Sequence, residues 1–147
     1  MLGRISRRAI PMTDYRLQQD SASEIHVEQA AFPAMAAVNL SQQSAAVQQT
    51  YKNFVVVQVN DHCVRVAVMT GEYRWHHHPH SDECFLVLEG LLEIDLAGGR
   101  TIQLHPGEMF TIPAGVSHRT RAQARTVNLC FENTQAYTDV VFDDPVA

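Results

Sequence analysis

From residue 54 onward the chain alternates apolar and polar positions with a period of two. Val64, Val66 and Val68 stand against Arg65, Ala67 and Met69, the pattern of a strand whose two faces meet different surroundings. Residues 54–59 precede it across the turn pair Asn60-Asp61, which predicts a hairpin. An apolar run at 84–88 follows, then alternation at 91–96, a return at 101–104, and further strand patterns at 109–112, 116–121 and 126–131, separated by Gly- or Pro-bearing turns. About eight or nine short strands punctuated in this way predict an all-β sandwich or barrel rather than βαβ units. Ahead of them, residues 39–49 carry good helix formers after Ser41, which predicts one short helical segment capped by that serine. Residues 1–37 are expected to form an N-terminal arm, partly disordered, with the barrel over 38–140. The tail, 141–147, is expected to fray or to depend on a partner.

Composition narrows the classes. A chain of 147 residues is long enough for one domain with a sizeable core. It has no apolar run of membrane-spanning length, so no membrane partner is expected. Beyond Met12, eight basic residues stand against sixteen acidic ones, about −8, and no basic surface is patterned for nucleic acid. Lys52 is the sole lysine, which speaks against Schiff-base catalysis. Cys63, Cys84 and Cys130 are odd in number and lack a CxxC pair, as expected of reduced thiols in the cytoplasm. The first twelve residues hold three arginines without an apolar stretch, unlike a secretory signal.

The candidate chemistry lies in residues 71–90. His76 and His78 are two apart on a strand pattern, so their side chains share a face about 6.7 Å apart, and His77 faces away. Pro79-His80-Ser81-Asp82 has turn composition, and Glu83 opens the next strand, where its carboxylate can face back towards the two imidazoles. This is half of a metal site; the competing reading is a His-rich loop that binds metal adventitiously or not at all.

Two motifs decide between them. Gly71-x4-His76-x-His78-x4-Glu83-x6-Gly90 is followed, with sixteen residues between Gly90 and Gly107, by Gly107-x5-Pro113-x-Gly115-x2-His118. Together they resemble the two signature motifs of the cupin superfamily, and residues from about 38 to 140 look like the small single-domain bacterial cupins often labelled mannose-6-phosphate-isomerase-like. The resemblance implies a double-stranded β-helix, or jelly-roll barrel, holding one divalent transition metal (Fe, Mn, Ni, Co or Zn) on His76, His78, Glu83 and His118. Two departures stand out: the first motif has four residues before its first His where the family usually has five, and Ala122 replaces a frequent Asn.

Three imidazoles and a carboxylate suit a borderline divalent ion. The expected function is a metal-dependent enzyme, dioxygenase-type, acting on a small organic molecule. The alternatives are a metal- or small-ligand-binding or sensing module without turnover, and a Lewis-acid isomerase or lyase on a small carbonyl or sugar compound. Glu72 and Arg74 are expected to contact substrate if strand parity carries through Gly71, and His80 to serve as a proton relay at the hairpin tip. Tyr73 and Trp75 are read as packing on the outer sheet face, and Arg119 and Arg121 as outward-facing. An apolar wall of Phe85, Val87, Phe110, Ile112, Leu129 and Phe131 is expected around the ion. A homodimer through the edge strand at 54–59 and the N-terminal arm is expected.

Overall fold

The computed structural model describes residues 28–143; the expected disorder at 1–27 and the tail at 144–147 lie outside them. Among the described residues the strands are β1 (Tyr51–Val59), β2 (His62–Glu72), β3 (His76–His77), β4 (Glu83–Glu89), β5 (Leu92–Leu96), β6 (Arg100–Leu104), β7 (Met109–Ile112), β8 (His118–Asn133) and β9 (Val141–Phe142). Two short helices, α1 (Leu40–Ala45) and α2 (Ala136–Asp139), accompany them. The all-β double-stranded β-helix with a short N-terminal helical segment is therefore what forms.

The patterns at 116–121 and 126–131 belong to one strand, β8, and the barrel is built along it. One flank of β8 pairs with β2, from His62↔Asn133 to Glu72↔Arg121. The other flank pairs with β4, from Glu83↔Glu132 to Glu89↔Val127, and then with β5, from Glu93↔Arg121 to Leu96↔His118. The β2 register slips between Met69 and Gly71, whose partners are Thr126 and Ala122, and there β8 bends. Its two limbs meet across the barrel: Glu83, paired with Glu132 on one limb, has its carboxylate 2.8 Å from His118 on the other.

Glycine is required where β4 passes into β5. Gly90 has φ +81°, and a Cβ there would lie 2.6 Å from Thr126 Oγ1 and 2.7 Å from the Arg125 carbonyl. Thr126 Oγ1 also donates to the Leu91 carbonyl at 3.1 Å, so β8 grips the corner where its two partners meet.

The two sheet faces are chemically different. Met69, Phe85, Val87, Ile94, Ile112 and Cys130 pack inside. Val56, Val66, Val68, Val127 and Leu129 pack outside, beneath Phe32, Val38, Leu40 and Val47. Residues 28–47 thus close the outer face, each buried valine or leucine contributing roughly 1.5–3 kcal/mol. The cap of α1 is Asn39 rather than Ser41: its Oδ1 accepts from Gln42 N at 3.0 Å, because Asn39 is the last extended residue and Ser41 already lies in the first turn.

Two sets of backbone contacts tie the ends of the described chain to the barrel. Ala31 N and Phe32 N donate to Val55 O and Val56 O, at 2.9 and 3.1 Å, so part of the β1 edge is covered by its own chain. Val141 and Phe142, expected to fray, pair with β3 through His77↔Val141 and His76↔Phe142.

Candidate metal centre

Short connections bring the two histidine-bearing segments together. Gly115 N donates to His78 O at 2.8 Å, and Asp82 Oδ1 accepts from Ala114 N at 2.8 Å, tying the turn after β3 to the turn before β8. His76 and His118 are direct partners across β3 and β8. The result is a buried cluster around Glu83, whose Oε2 lies 2.8 Å from His118 Nε2 and 3.8 Å from His76 Nε2, while Oε1 lies 3.4 Å from His78 Nε2. All four residues are buried.

The outer nitrogens fix the tautomers. His76 Nδ1 and His118 Nδ1 lie 2.9 Å from the carbonyls of Arg74 and Val116. A carbonyl only accepts, so each Nδ1 carries a proton and each ring turns its Nε2 inward. His78 Nδ1 is held by Asp139 Oδ1 at 2.7 Å, the carboxylate–histidine arrangement that orients metal-binding imidazoles. Asp139 Oδ2 also accepts from His80 N and Ser81 Oγ, both at 3.1 Å. α2, which the pattern did not predict, positions this carboxylate.

The cluster fits a cation. Glu83 Oε2 and His118 Nε2 are both buried without a hydrogen-bond partner although they are 2.8 Å apart. Burial alone would raise the Glu83 carboxyl, yet the three imidazoles around it hold it well below its usual range. His78 is pushed up to about 9: burial opposes protonation, but Glu83 and Asp139 outweigh it. One donor set suited to an ion is His76, Glu83 and His118; a second is His78, Glu83 and Glu132. Glu132, opposite Glu83 in the ladder, was not anticipated. Burial first, and the charge of Glu83 second, push its carboxyl up to about 7.

Beside the cluster lies a cavity of about 110 Å3. Arg65 Nε and Nη2 hold Glu132 and Glu28, each at 2.6 Å, and Nη1 donates to Asn53 at 3.2 Å. With Thr120 and Asn128, these residues place polar groups in a lining that is otherwise mostly apolar. The membership of the expected apolar wall is corrected here. Phe85 does line the cavity and Val87, Phe110 and Ile112 pack within the same interior cluster, but Leu129 and Phe131 belong to the outer one. On β8 the inward positions are the even-numbered ones, as His118 requires.

The candidate substrate-contacting residues fall outside the cavity lining. Glu72 pairs with Arg119 at 3.0 Å, because the irregularity at Gly71 interrupts the parity carried from β2. Arg74 is exposed, with its guanidinium 4.1 Å above the Phe142 ring. His80 is exposed at the turn. Tyr73, expected on the outer face, instead lines the cavity and meets His76 edge-on at 4.9 Å between centroids. Arg119 and Arg121 face outward as expected and converge on Asp95, each through Nε at 2.9 Å.

Comparison with known proteins agrees with this geometry. Residues 63–130 match the Cupin_2 model, described as a cupin domain. The chain is 52% identical over 99 residues to the Uncharacterized protein YdbB of Bacillus subtilis (strain 168), spanning 67% of this chain and 88% of that protein. The chain belongs to the cupin family. Among solved structures, this cupin is similar to a cupin-2 domain containing protein from Shewanella frigidimarina, with 31% identity, a TM-score of 0.63 and coverage of 66% of this chain and 94% of that one. A Klebsiella pneumoniae protein with a double-stranded beta-helix domain shares the fold of this cupin at 17% identity and a TM-score of 0.62, covering 74% and 97% of the two chains. No helix among the described residues is long and apolar enough to cross a membrane.

Proposed function

We propose that this cupin is an enzyme that depends on one divalent transition-metal ion, held by His76, His78, Glu83 and His118, and acts on a small polar molecule in the adjoining cavity. The observation that carries the reading is the pair of buried acceptors, Glu83 Oε2 and His118 Nε2, 2.8 Å apart without a hydrogen bond. Two lone pairs facing each other in a low-dielectric interior repel unless a proton on Nε2 or a cation lies between them, and the proposed ion takes that place. Held there, such an ion polarises a carbonyl or hydroxyl of the substrate, and a redox-active one supplies electrons to dioxygen.

The chain itself does the rest. The carbonyls of Arg74 and Val116, with Asp139, fix the ring orientations. Arg65 holds Glu132 beside the cluster, within 4.8 Å of His78 and Glu83, where its carboxyl can take or return a substrate proton. Isomerase- or lyase-type chemistry on a hydroxylated or carbonyl compound is favoured over the dioxygenase-type reading. The lining, though mostly apolar, carries Arg65, Asn128 and Glu132, polar groups that a hydroxylated or carbonyl compound can use.

The test is elemental analysis of tag-free protein, followed by NMR-monitored incubation with hydroxy-carbonyl compounds, with and without chelator, and parallel recording of oxygen uptake. Stoichiometric metal with chelator-sensitive turnover and no oxygen uptake supports the reading. Substrate-dependent uptake restores the dioxygenase-type function, and bound metal with no turnover assigns a binding or sensing module.

A further inference from the structure

Asn128 is a buried polar residue for which neither the fold nor the proposed metal ligands have a use. It is 2% exposed and lines the cavity, yet its Oδ1 has no hydrogen-bond partner. Leaving such a group unsatisfied costs stability, and its ladder neighbours Ala67 and Val87 offer nothing to relieve it. Thr120, on the other limb of β8, also lines the cavity and is buried. Glu132 also lines the cavity, and its Oε2 accepts from the Cys130 thiol at 3.9 Å.

The charge of this end of the cavity restricts what it can hold. Its guanidinium, Arg65, is committed at Nε, Nη1 and Nη2 to Glu132, Asn53 and Glu28, so the two-pronged face that would clasp a carboxylate or phosphate is occupied. A neutral partner is then required, and an amide has both an acceptor and donors to satisfy. A hydroxyl or a carboxamide meets that demand whichever way the Asn128 amide is turned, because each both donates and accepts.

We propose that Asn128 is a ligand-recognition residue, forming with Thr120 a subsite that hydrogen-bonds a hydroxyl or carboxamide group of a neutral small molecule. The proposal deepens the function given above, since the same molecule would reach the metal cluster from this cavity, but the subsite is defined by residues that hold no metal.

The test uses the metal-replete protein and two probes, glycerol for the hydroxyl and acetamide for the carboxamide, with binding followed by NMR titration. Saturable binding of either probe identifies which chemistry the subsite takes. Asn128→Leu, close in shape and without polar atoms, is expected to weaken that binding by about tenfold, the worth of one buried hydrogen bond. The same variant is expected to melt at or above the parent temperature, since an unsatisfied buried amide has been removed. Failure of both probes to bind, or binding unchanged in Asn128→Leu, overturns the subsite. So does a lower melting temperature in Asn128→Leu with binding intact, which would make the residue purely structural. Metal content is measured on the same samples: a metal-free protein with Asn128-dependent binding overturns the metal reading alone.

Discussion

His118 Nε2 and Glu83 Oε2 face each other at 2.8 Å as two acceptors. The proton on His118 Nδ1 is committed to the Val116 carbonyl on the far side of the ring, so the pair is reconciled only by a second proton on Nε2 or by a cation against both atoms. Glu83→Gln supplies an N–H at that point. Metal content is expected to fall to background while the variant, unfolded in chelator, melts no lower than the parent. Retained metal, or a lower melting temperature in chelator, would refute the assignment.

Asp139 would act on the proposed ion through His78, whose Nδ1 it holds at 2.7 Å. Asp139→Asn should therefore weaken metal binding by about 10- to 100-fold, as removal of a ligand's orienting partner commonly does, without abolishing it. Competition titration against a chromophoric chelator measures the shift, and an unchanged affinity would show that the contact orients nothing.

Arg65 lies between Glu132 and Glu28, buried against both. Arg65→Ala leaves Glu132 unpaired in the interior, where its carboxyl takes up a proton, and also frees Glu28 and Asn53; it is expected to destabilise the barrel by about 1–3 kcal/mol, read from urea unfolding. Pairing it with Glu132→Gln should recover a measurable part of that loss, whereas additive losses would mean that the two residues do not interact.

Outside the barrel, Asp95 sets an acid limit. Burial by itself would raise its carboxyl, but hydrogen bonds from Arg121, Thr101 and Arg119 outweigh burial and hold it at about 2, below the ordinary 3.8. A group depressed on folding stabilises above its unfolded pKa and stops doing so as pH falls through its folded one. The parent is expected to lose this contribution between about pH 4 and pH 2. In Asp95→Asn the corresponding slope of stability against pH should be absent.

Gly90→Ala tests the corner. Its φ of +81° and the contacts a methyl group would make with Thr126 Oγ1 and Arg125 O predict a loss of about 1–3 kcal/mol, visible as a lower denaturation midpoint. An unchanged midpoint would mean that the β4–β5 corner yields freely.

The spacing of Gly71, His76, His78, Glu83, Gly90, Gly107, Pro113, Gly115 and His118 made the barrel and its central cluster legible, because each motif carries both its turn glycines and its donors. The cavity wall was less legible. Carrying the parity of His118 along β8 points Thr120, Asn128, Cys130 and Glu132 inward, but the eye follows Leu129 and Phe131, whose apolar character is spent on the outer face under residues 28–47. Gly71 hides a register slip, so Glu72 could not be placed by counting. Asp139 carries no local signal, since its role depends on where a four-residue helix happens to dock.

The strand that carries two of the histidines is itself two residues long and lies between β8 and β9. A chain emerging from the ribosome presents His76 and His78 early, but Asp139 and the Val141–Phe142 pairing are made more than sixty residues later. Folding of the N-terminal portion can begin before then, yet the cluster has no settled geometry until that last piece arrives. If the cluster holds the proposed ion, its loading is expected to be a late event of biosynthesis, complete only once translation has run past residue 142.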